Sequence, residues 1–179
     1  LDILNKPFTF AINSDADLTA KNIRQSGIHT NFDLHFRGKR LGRVELPAPG
    51  EHNVSNALAA LSLGYKSGLD FSRMIPVLEE FQLPKRRFQI LQNNGSVIVD
   101  DYAHLPKEIE VTLDAVKSGW DPERILAIFQ PHRFSRTKHI NGQFGKSFES
   151  ADMVVITGIY PASEKPIPGV TSQLIQKSV

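Results

Sequence analysis

A chain of 179 residues with 40% hydrophobic and 22% charged side chains has enough apolar material for one domain or two small ones, which excludes a disordered tail or a fibrous repeat. Cysteine is absent, so there is no thiol nucleophile, cysteine zinc site or disulfide. The net charge of +2 is too balanced to argue for nucleic acid or a membrane surface, and no apolar run approaches the ~20 residues of a spanning helix.

The chain begins at Leu1 rather than Met, without a signal-peptide pattern, so a cytoplasmic protein is expected. The closing LIQKSV reads as a helix cut short, and a fragment is expected. From Phe8 to Leu46 the pattern is strand-like: Phe8, Phe10 and Ile12 alternate with polar or small residues, as do Phe32, Leu34 and Phe36. Arg37-Gly38-Lys39-Arg40 is a polar turn before the alternating Leu41 to Leu46, which predicts a hairpin. Pro47, Pro49 and Gly50 stop the sheet. Val54, Ala57, Leu58, Leu61 and Tyr65 have helical spacing, predicting a helix from His52 to Lys66; a second, capped by Asp70 or Ser72, runs to Phe81. Gln82-Leu83-Pro84-Lys85 is the expected domain boundary.

Beyond it, Arg87 to Gln92 and Val97 to Asp101 predict short strands around an Asn94-Gly95 turn. Pro106 opens a helix to about Lys117, where its missing N–H is harmless. Ile125 to Phe129 and Met153 to Thr157 are continuous apolar runs of the buried, parallel-strand type, and a helix is predicted between them from Lys138 to Glu149. Strands alternating with helices imply an α/β layer with a parallel sheet, whose ligand site lies beyond the carboxyl ends of the strands. That rule selects the loops Asp101 to Leu105, Gln130 to Thr137 and Gly158 to Gly169.

Asp100-Asp101-Tyr102-Ala103-His104 places two carboxylates, a phenol and an imidazole in one loop. A carboxylate here suits a ribose diol; the plainer alternative is an Asp capping the next helix beside a solvated His. In the loop from Gln130 to Thr137, Arg133 and Arg136 make a planar pair suited to a carboxylate or phosphate, with His132, Lys138 and His139 adding positive charge. A solvated basic loop is the alternative. Asn53 and Asn56 offer the donor and acceptor that match an adenine edge, although helix capping explains an Asn here equally well. Lys85-Arg86-Arg87 is a cationic stretch at the boundary, usually a solvated face. Gly145-Lys146-Ser147 is not a P-loop, because Ile140 stands where the motif needs Gly and the triplet falls in the predicted helix.

In their order, the motifs Gly50-Glu51-His52-Asn53-Val54-Ser55-Asn56-Ala57, Arg86-Arg87-Phe88-Gln89, Asp100 to His104 and Phe129 to Thr137 resemble the Mur ligase family, most closely its alanine-adding branch. Ala151-Asp152, Ile159-Tyr160-Pro161-Ala162-Ser163-Glu164 and Pro166-Ile167 extend the resemblance. It implies an α/β fold in which residues 1–83 form the later part of a central ATP-binding domain. Residues 84–179 then form an incomplete carboxyl-terminal Rossmann-like domain with a mostly parallel sheet. The implied reaction uses ATP to phosphorylate the carboxylate of UDP-N-acetylmuramate; the amine of L-alanine attacks the acyl phosphate, and phosphate leaves. ATP and Mg2+ are the implied cofactors. The P-loop, the magnesium ligands and the UDP-binding domain are missing from this sequence, so no metal ligand is assigned and the chain is not expected to act alone.

By the same resemblance His52, Asn53 and Asn56 contact adenine, and Arg87 and Asp101 hold the nucleotide's ribose or phosphates. Tyr102, His104, His132, Arg133 and Arg136 face the amino acid and the intermediate, with His104, Arg133 and Arg136 as catalytic residues. Leu105 replaces a second His that the family usually carries after His104, removing a polar contact from the amino-acid site. The rival readings are the branch that reattaches recycled peptide, against which the Gln130-Pro131-His132-Arg133 loop speaks, and a non-catalytic phosphate- or nucleic-acid-binding module.

Overall fold

The structure, a computed structural model, describes residues 7–179. The chain divides into two compact units, Leu1–Lys85 with Ser118–Trp120, and Arg86–Lys117 with Asp121–Val179.

In the first unit, β1 (Phe10–Ile12), β2 (Leu18–Ser26), β3 (His29–Phe36) and β4 (Lys39–Leu46) form one sheet in that order. β1 pairs with β2 in parallel, and the other two pairings are antiparallel. Period-two alternation sends Leu18, Ala20, Phe32, Leu34, Val44 and Leu46 to one face, all at most 2% exposed. They pack on Val54, Ala57, Leu58 and Leu61 of α1 (Glu51–Lys66), spaced i, i+3, i+4 and i+7. Each large side chain buried here contributes about 1.5–3 kcal/mol of transfer free energy. α2 (Phe71–Glu79) ends two residues before the predicted Phe81. Arg37 and Gly38 both take positive φ (47° and 80°), the conformation a two-residue hairpin turn requires. At Asn22, also at positive φ, β2 bulges. The Asn22 amide donates to Asp33 Oδ2 at 2.8 Å, and Arg40 Nη2 donates to Asp33 Oδ1 at 2.8 Å.

In the second unit, β5 (Gln89–Asn94) and β6 (Ser96–Asp100) form an antiparallel hairpin turning at Gly95 (φ 76°). α3 (Pro106–Trp120) follows, and β7 (Leu126–Phe129) then pairs in parallel with β8 (Met153–Ile156). Ile109 and Leu113 of α3, Ile125, Phe129, Phe144, Phe148 and Ile175 form its core, with α5 (Gln173–Gln176) closing one side. Parallel strands in a mixed α/β unit are the predicted class, but two local expectations are corrected. The apolar runs are buried on one face only: Leu126, Ile128, Met153 and Val155 share the other face and are 43–70% exposed. The helix predicted from Lys138 to Glu149 is instead α4 (Phe134–Ile140), followed by a 3-10 turn Asn141–Gln143 and further turns. Asn141 ends it by turning its amide back onto the carbonyls of Thr137 (3.1 Å) and Lys138 (2.9 Å), the chain-terminating competition typical of Asn. The Gly145-Lys146-Ser147 triplet therefore lies in turns, still without a P-loop's strand before it.

Candidate active site

Pro49 and Gly50 deliver the chain into α1, and Gly50 caps it at φ 86°, ψ 149°, a backbone state that side chains other than glycine's rarely adopt. The carbonyl of Gly50 accepts the Asn53 N–H at 3.1 Å, and the Asn53 side chain donates to the Pro49 carbonyl at 2.7 Å. Asn53 thus ties the first turn of α1 back to Pro49 as a donor instead of capping it, and α1 has no side-chain cap. Asn56, one turn on, is exposed, and His52 is half-buried.

The second unit brings together most of the predicted side chains. Asp101, at the carboxyl end of β6, accepts the Phe88 N–H at 2.8 Å on Oδ2 and the Ala103 N–H at 2.7 Å on Oδ1. It folds the Tyr102–His104 loop over the start of β5, while the Tyr102 N–H donates to the Arg86 carbonyl at 2.8 Å. Arg86 lies over the Tyr102 ring (4.9 Å to the centroid) and 3.6 Å from the Asp100 carboxylate, with Arg87 6.0 Å from the same ring. Glu108, on the first turn of α3, accepts the backbone N–H groups of His104 (2.9 Å) and Leu105 (3.1 Å). This is half of a capping box; Leu105 has no acceptor to return. His104 Nδ1 sits 2.9 Å from the Tyr102 carbonyl and 3.4 Å from Glu108 Oε2.

The loop after β7 meets this one. Tyr160 N–H donates to the Pro131 carbonyl and Arg133 N–H donates to the Tyr160 carbonyl, both at 2.8 Å, so His132 and Tyr160 prolong the parallel ladder beyond the strands. The His132 ring stands 5.8 Å from that of His104, 6.2 Å from Tyr102 and 5.5 Å from Tyr160. Arg136 Nη1 donates to His132 Nδ1 at 3.1 Å. Arg133 has φ 73°, ψ 138° at the start of α4, and its side chain is exposed. A non-glycine residue held there carries strain of about 1–3 kcal/mol, which proteins retain chiefly where a side chain is needed in one place. Ser135 is tied by both its N–H (2.9 Å) and its hydroxyl (2.5 Å) to the carboxylate of Glu164, from the loop after β8.

These placements set the electrostatics. Burial lowers the pKa of His132, and the positive charges of Arg136, His104 and Arg133 lower it further. Glu108 is held below its ordinary range: partial burial opposes this, but the two backbone N–H groups and the charges of His104 and Arg87 outweigh it. Glu164 is lowered by its Ser135 hydrogen bonds and by Arg133. Among the described residues no group of three or more His, Cys, Asp or Glu is placed to hold a metal ion. No helix of the described residues is long and apolar enough to cross a membrane.

Two residues that sequence reasoning did not single out shape the site. Glu108 carried a readable signal, an acid on the first turn after Pro106. Glu164 was visible only as the end of the Ile159-to-Glu164 motif, and its tie to Ser135, 29 residues away, was not.

Tyr102 and His104 at the carboxyl end of β6, with His132, Arg133, Arg136 and Tyr160 around the carboxyl ends of the parallel strands β7 and β8, make a candidate site of the kind that an α/β ligase or transferase would use for anionic groups. The sequence matches the Mur ligase middle domain over residues 3–64 and the Mur ligase, glutamate ligase domain over residues 86–179. This chain belongs to the Mur ligase family. It is 40% identical over 178 residues to a UDP-N-acetylmuramate–L-alanine ligase of Endomicrobium trichonymphae, covering 99% of this chain and 40% of that protein. It is 43% identical over 171 residues to the protein of the same name in Salinibacter ruber, covering 95% and 36%. The crystal structure of a UDP-N-acetylmuramate-alanine ligase from Thermotoga maritima superimposes with a TM-score of 0.76 at 33% identity, covering 96% of this chain and 36% of that one. The chain therefore spans 36–40% of the length of these relatives.

Proposed function

We propose that this chain is part of an ATP-dependent cytoplasmic ligase that joins L-alanine to UDP-N-acetylmuramate in peptidoglycan precursor synthesis. The observation that carries this reading is the convergence of Tyr102, His104, His132, Arg133 and Arg136 on one set of strand ends, in a chain whose named relatives are L-alanine ligases.

The reaction needs a carboxylate activated by the γ-phosphate of ATP, an amine that has lost its proton, and groups that stabilise an anionic tetrahedral intermediate. Arg133 suits the carboxylate of the amino acid: among the described residues its guanidinium makes no hydrogen bond, so its paired donors remain for a bidentate clasp. Arg136 and His132 face the developing negative charge, and His104 receives a proton. For the nucleotide, the candidate groups are the exposed Asn56, the Asn53 Oδ1 acceptor and the neighbouring His52 in the first unit, and Arg87 in the second. Asp101, each of whose oxygens accepts one backbone N–H and keeps a further lone pair, is the acceptor for the hydroxyls of the nucleotide's ribose. Among the described residues no cluster of three or more His, Cys, Asp or Glu is available for Mg2+, so no metal ligand is assigned to this chain.

The test is phosphate release from ATP by the full-length ligase supplied with UDP-N-acetylmuramate and either L-alanine or the recycled tripeptide. Release with L-alanine alone supports the reading. Release with the tripeptide instead moves the protein to the recycling branch, and release with neither reopens a purely binding role.

A further inference from the structure

His104 and His132 lie with their rings 5.8 Å apart, yet their Nδ1 atoms meet opposite partners. A backbone carbonyl only accepts a hydrogen bond, so His104 Nδ1, 2.9 Å from the Tyr102 carbonyl, carries a hydrogen. Glu108 Oε2, 3.4 Å from the same nitrogen, favours that hydrogen too. A guanidinium only donates, so His132 Nδ1, 3.1 Å from Arg136 Nη1, carries none. Arg136 is held in this pose by a second contact of Nη1, 3.3 Å from the His132 carbonyl.

We propose that the two histidines are locked in opposite tautomers, so that His104 presents a bare Nε2 that accepts a proton while His132 presents an Nε2–H that donates a hydrogen bond. Arg136 is then a positioning residue that sets the tautomer of His132, and Glu108 with the Tyr102 carbonyl sets that of His104. The inference rests on the ligase reading for its chemistry. In the ammonium form of the incoming amino acid, one N–H bond breaks and its electron pair stays on nitrogen. The proton forms an Nε2–H bond on His104, and the imidazolium so made faces the Glu108 carboxylate. His132 keeps its Nε2–H throughout and offers it to an oxygen of the substrate or intermediate. One ring removes a proton and its neighbour supplies a donor, a division that two identical tautomers do not achieve.

Protonation of His132 at Nδ1 would set two donors against each other. The charges around that ring reinforce the effect: Arg133 at the start of α4, Arg136 within it and His104 in the facing loop act in one direction, and among the described residues the Glu164 carboxylate opposes them. Tyr102 and Tyr160 flank the ring as neutral groups.

The experiment is 15N NMR of the histidine rings in the full-length ligase, uniformly labelled at histidine and assigned with His104→Gln and His132→Gln. At about neutral pH the expected spectrum has His132 with an unprotonated Nδ1 and a protonated Nε2, and His104 with the reverse. Arg136→Ala shifts both His132 ring nitrogens toward averaged values and raises the pH midpoint of that ring, leaving the His104 pattern in place. A wild-type spectrum with both rings in the same tautomer, or a His132 pattern unmoved in Arg136→Ala, overturns the proposal. Neither result depends on turnover, so a failure of the ligase reading would appear separately in the substrate assay.

Discussion

Replacing Asp101 by Ala removes a carboxylate that holds two backbone N–H groups, Phe88 at 2.8 Å and Ala103 at 2.7 Å. A hydrogen bond to a charged group contributes about 1.5–3 kcal/mol. Both sites here are partly buried, and water will satisfy the freed N–H groups in part, so the expected net loss is about 2–4 kcal/mol. Asp101→Asn should lose about half as much, because Oδ1 still accepts one N–H while the new NH2 opposes the other. The assay is amide hydrogen exchange at Phe88 and Ala103, read beside the thermal transition. A loss of about 2 kcal/mol corresponds to roughly a 30-fold faster exchange by the local route, and for a chain of this size a Tm lower by about 4–8 °C. Asp101→Ala that leaves both amides protected and the transition within about 0.5 kcal/mol of wild type would refute the claim that this carboxylate builds the loop.

Three further outcomes follow from named geometry. Gly50→Ala, at φ 86° and ψ 149°, should cost about 1–3 kcal/mol in chemical denaturation; a loss below about 0.5 kcal/mol contradicts the strain argument. Arg133→Gly should retain or raise Tm, because φ 73° costs glycine little, while L-alanine use collapses; a fall of more than about 1 kcal/mol in stability would show that the side chain, not its strain, dominates the fold there. His132 has a folded-state pKa below its ordinary value of about 6.5, so the unfolded chain binds its proton first, and stability falls as pH drops from about 6.5 through the folded pKa. Glu108 and Glu164, also lowered, add a second loss as pH falls below about 4.3. Denaturation midpoints across pH that stay flat or rise between about 7 and 5 would contradict the His132 part.

The elements legible in the sequence were those governed by local periodicity and turn chemistry. Phe32, Leu34, Val44 and Leu46 alternate, Val54 to Leu61 follow helical spacing, and Arg37-Gly38 turns the hairpin, so each could be read without its neighbours. The helix after β7 was misplaced because Asn141 ends it by a side-chain bond that periodicity does not register, and Gly142 follows. One-sided exposure of β7 and β8 was hidden for a similar reason: Leu126 and Ile128 look no different in sequence from the buried Phe129. At the candidate site, residue types and loop positions were visible, but their division of labour was not. Residue type alone does not distinguish Asp101 as a loop builder from a ligand contact, nor Arg136, bonded to His132, from Arg133; those differences are set by which side chains and backbone groups the loops bring within reach, from 2 residues away (Asp101 to Ala103) to 13 (Asp101 to Phe88).

The most direct test of the central claim, that the cluster of Arg133, His132 and His104 receives the amino acid, is the steady-state kinetics of Arg133→Ala in the full-length ligase. Loss of a bidentate carboxylate contact should raise the KM for L-alanine by at least about tenfold, equivalent to about 1.4 kcal/mol, with the KM for ATP unchanged. An unchanged KM for L-alanine together with a raised KM for ATP would contradict the account and assign this arginine to the nucleotide.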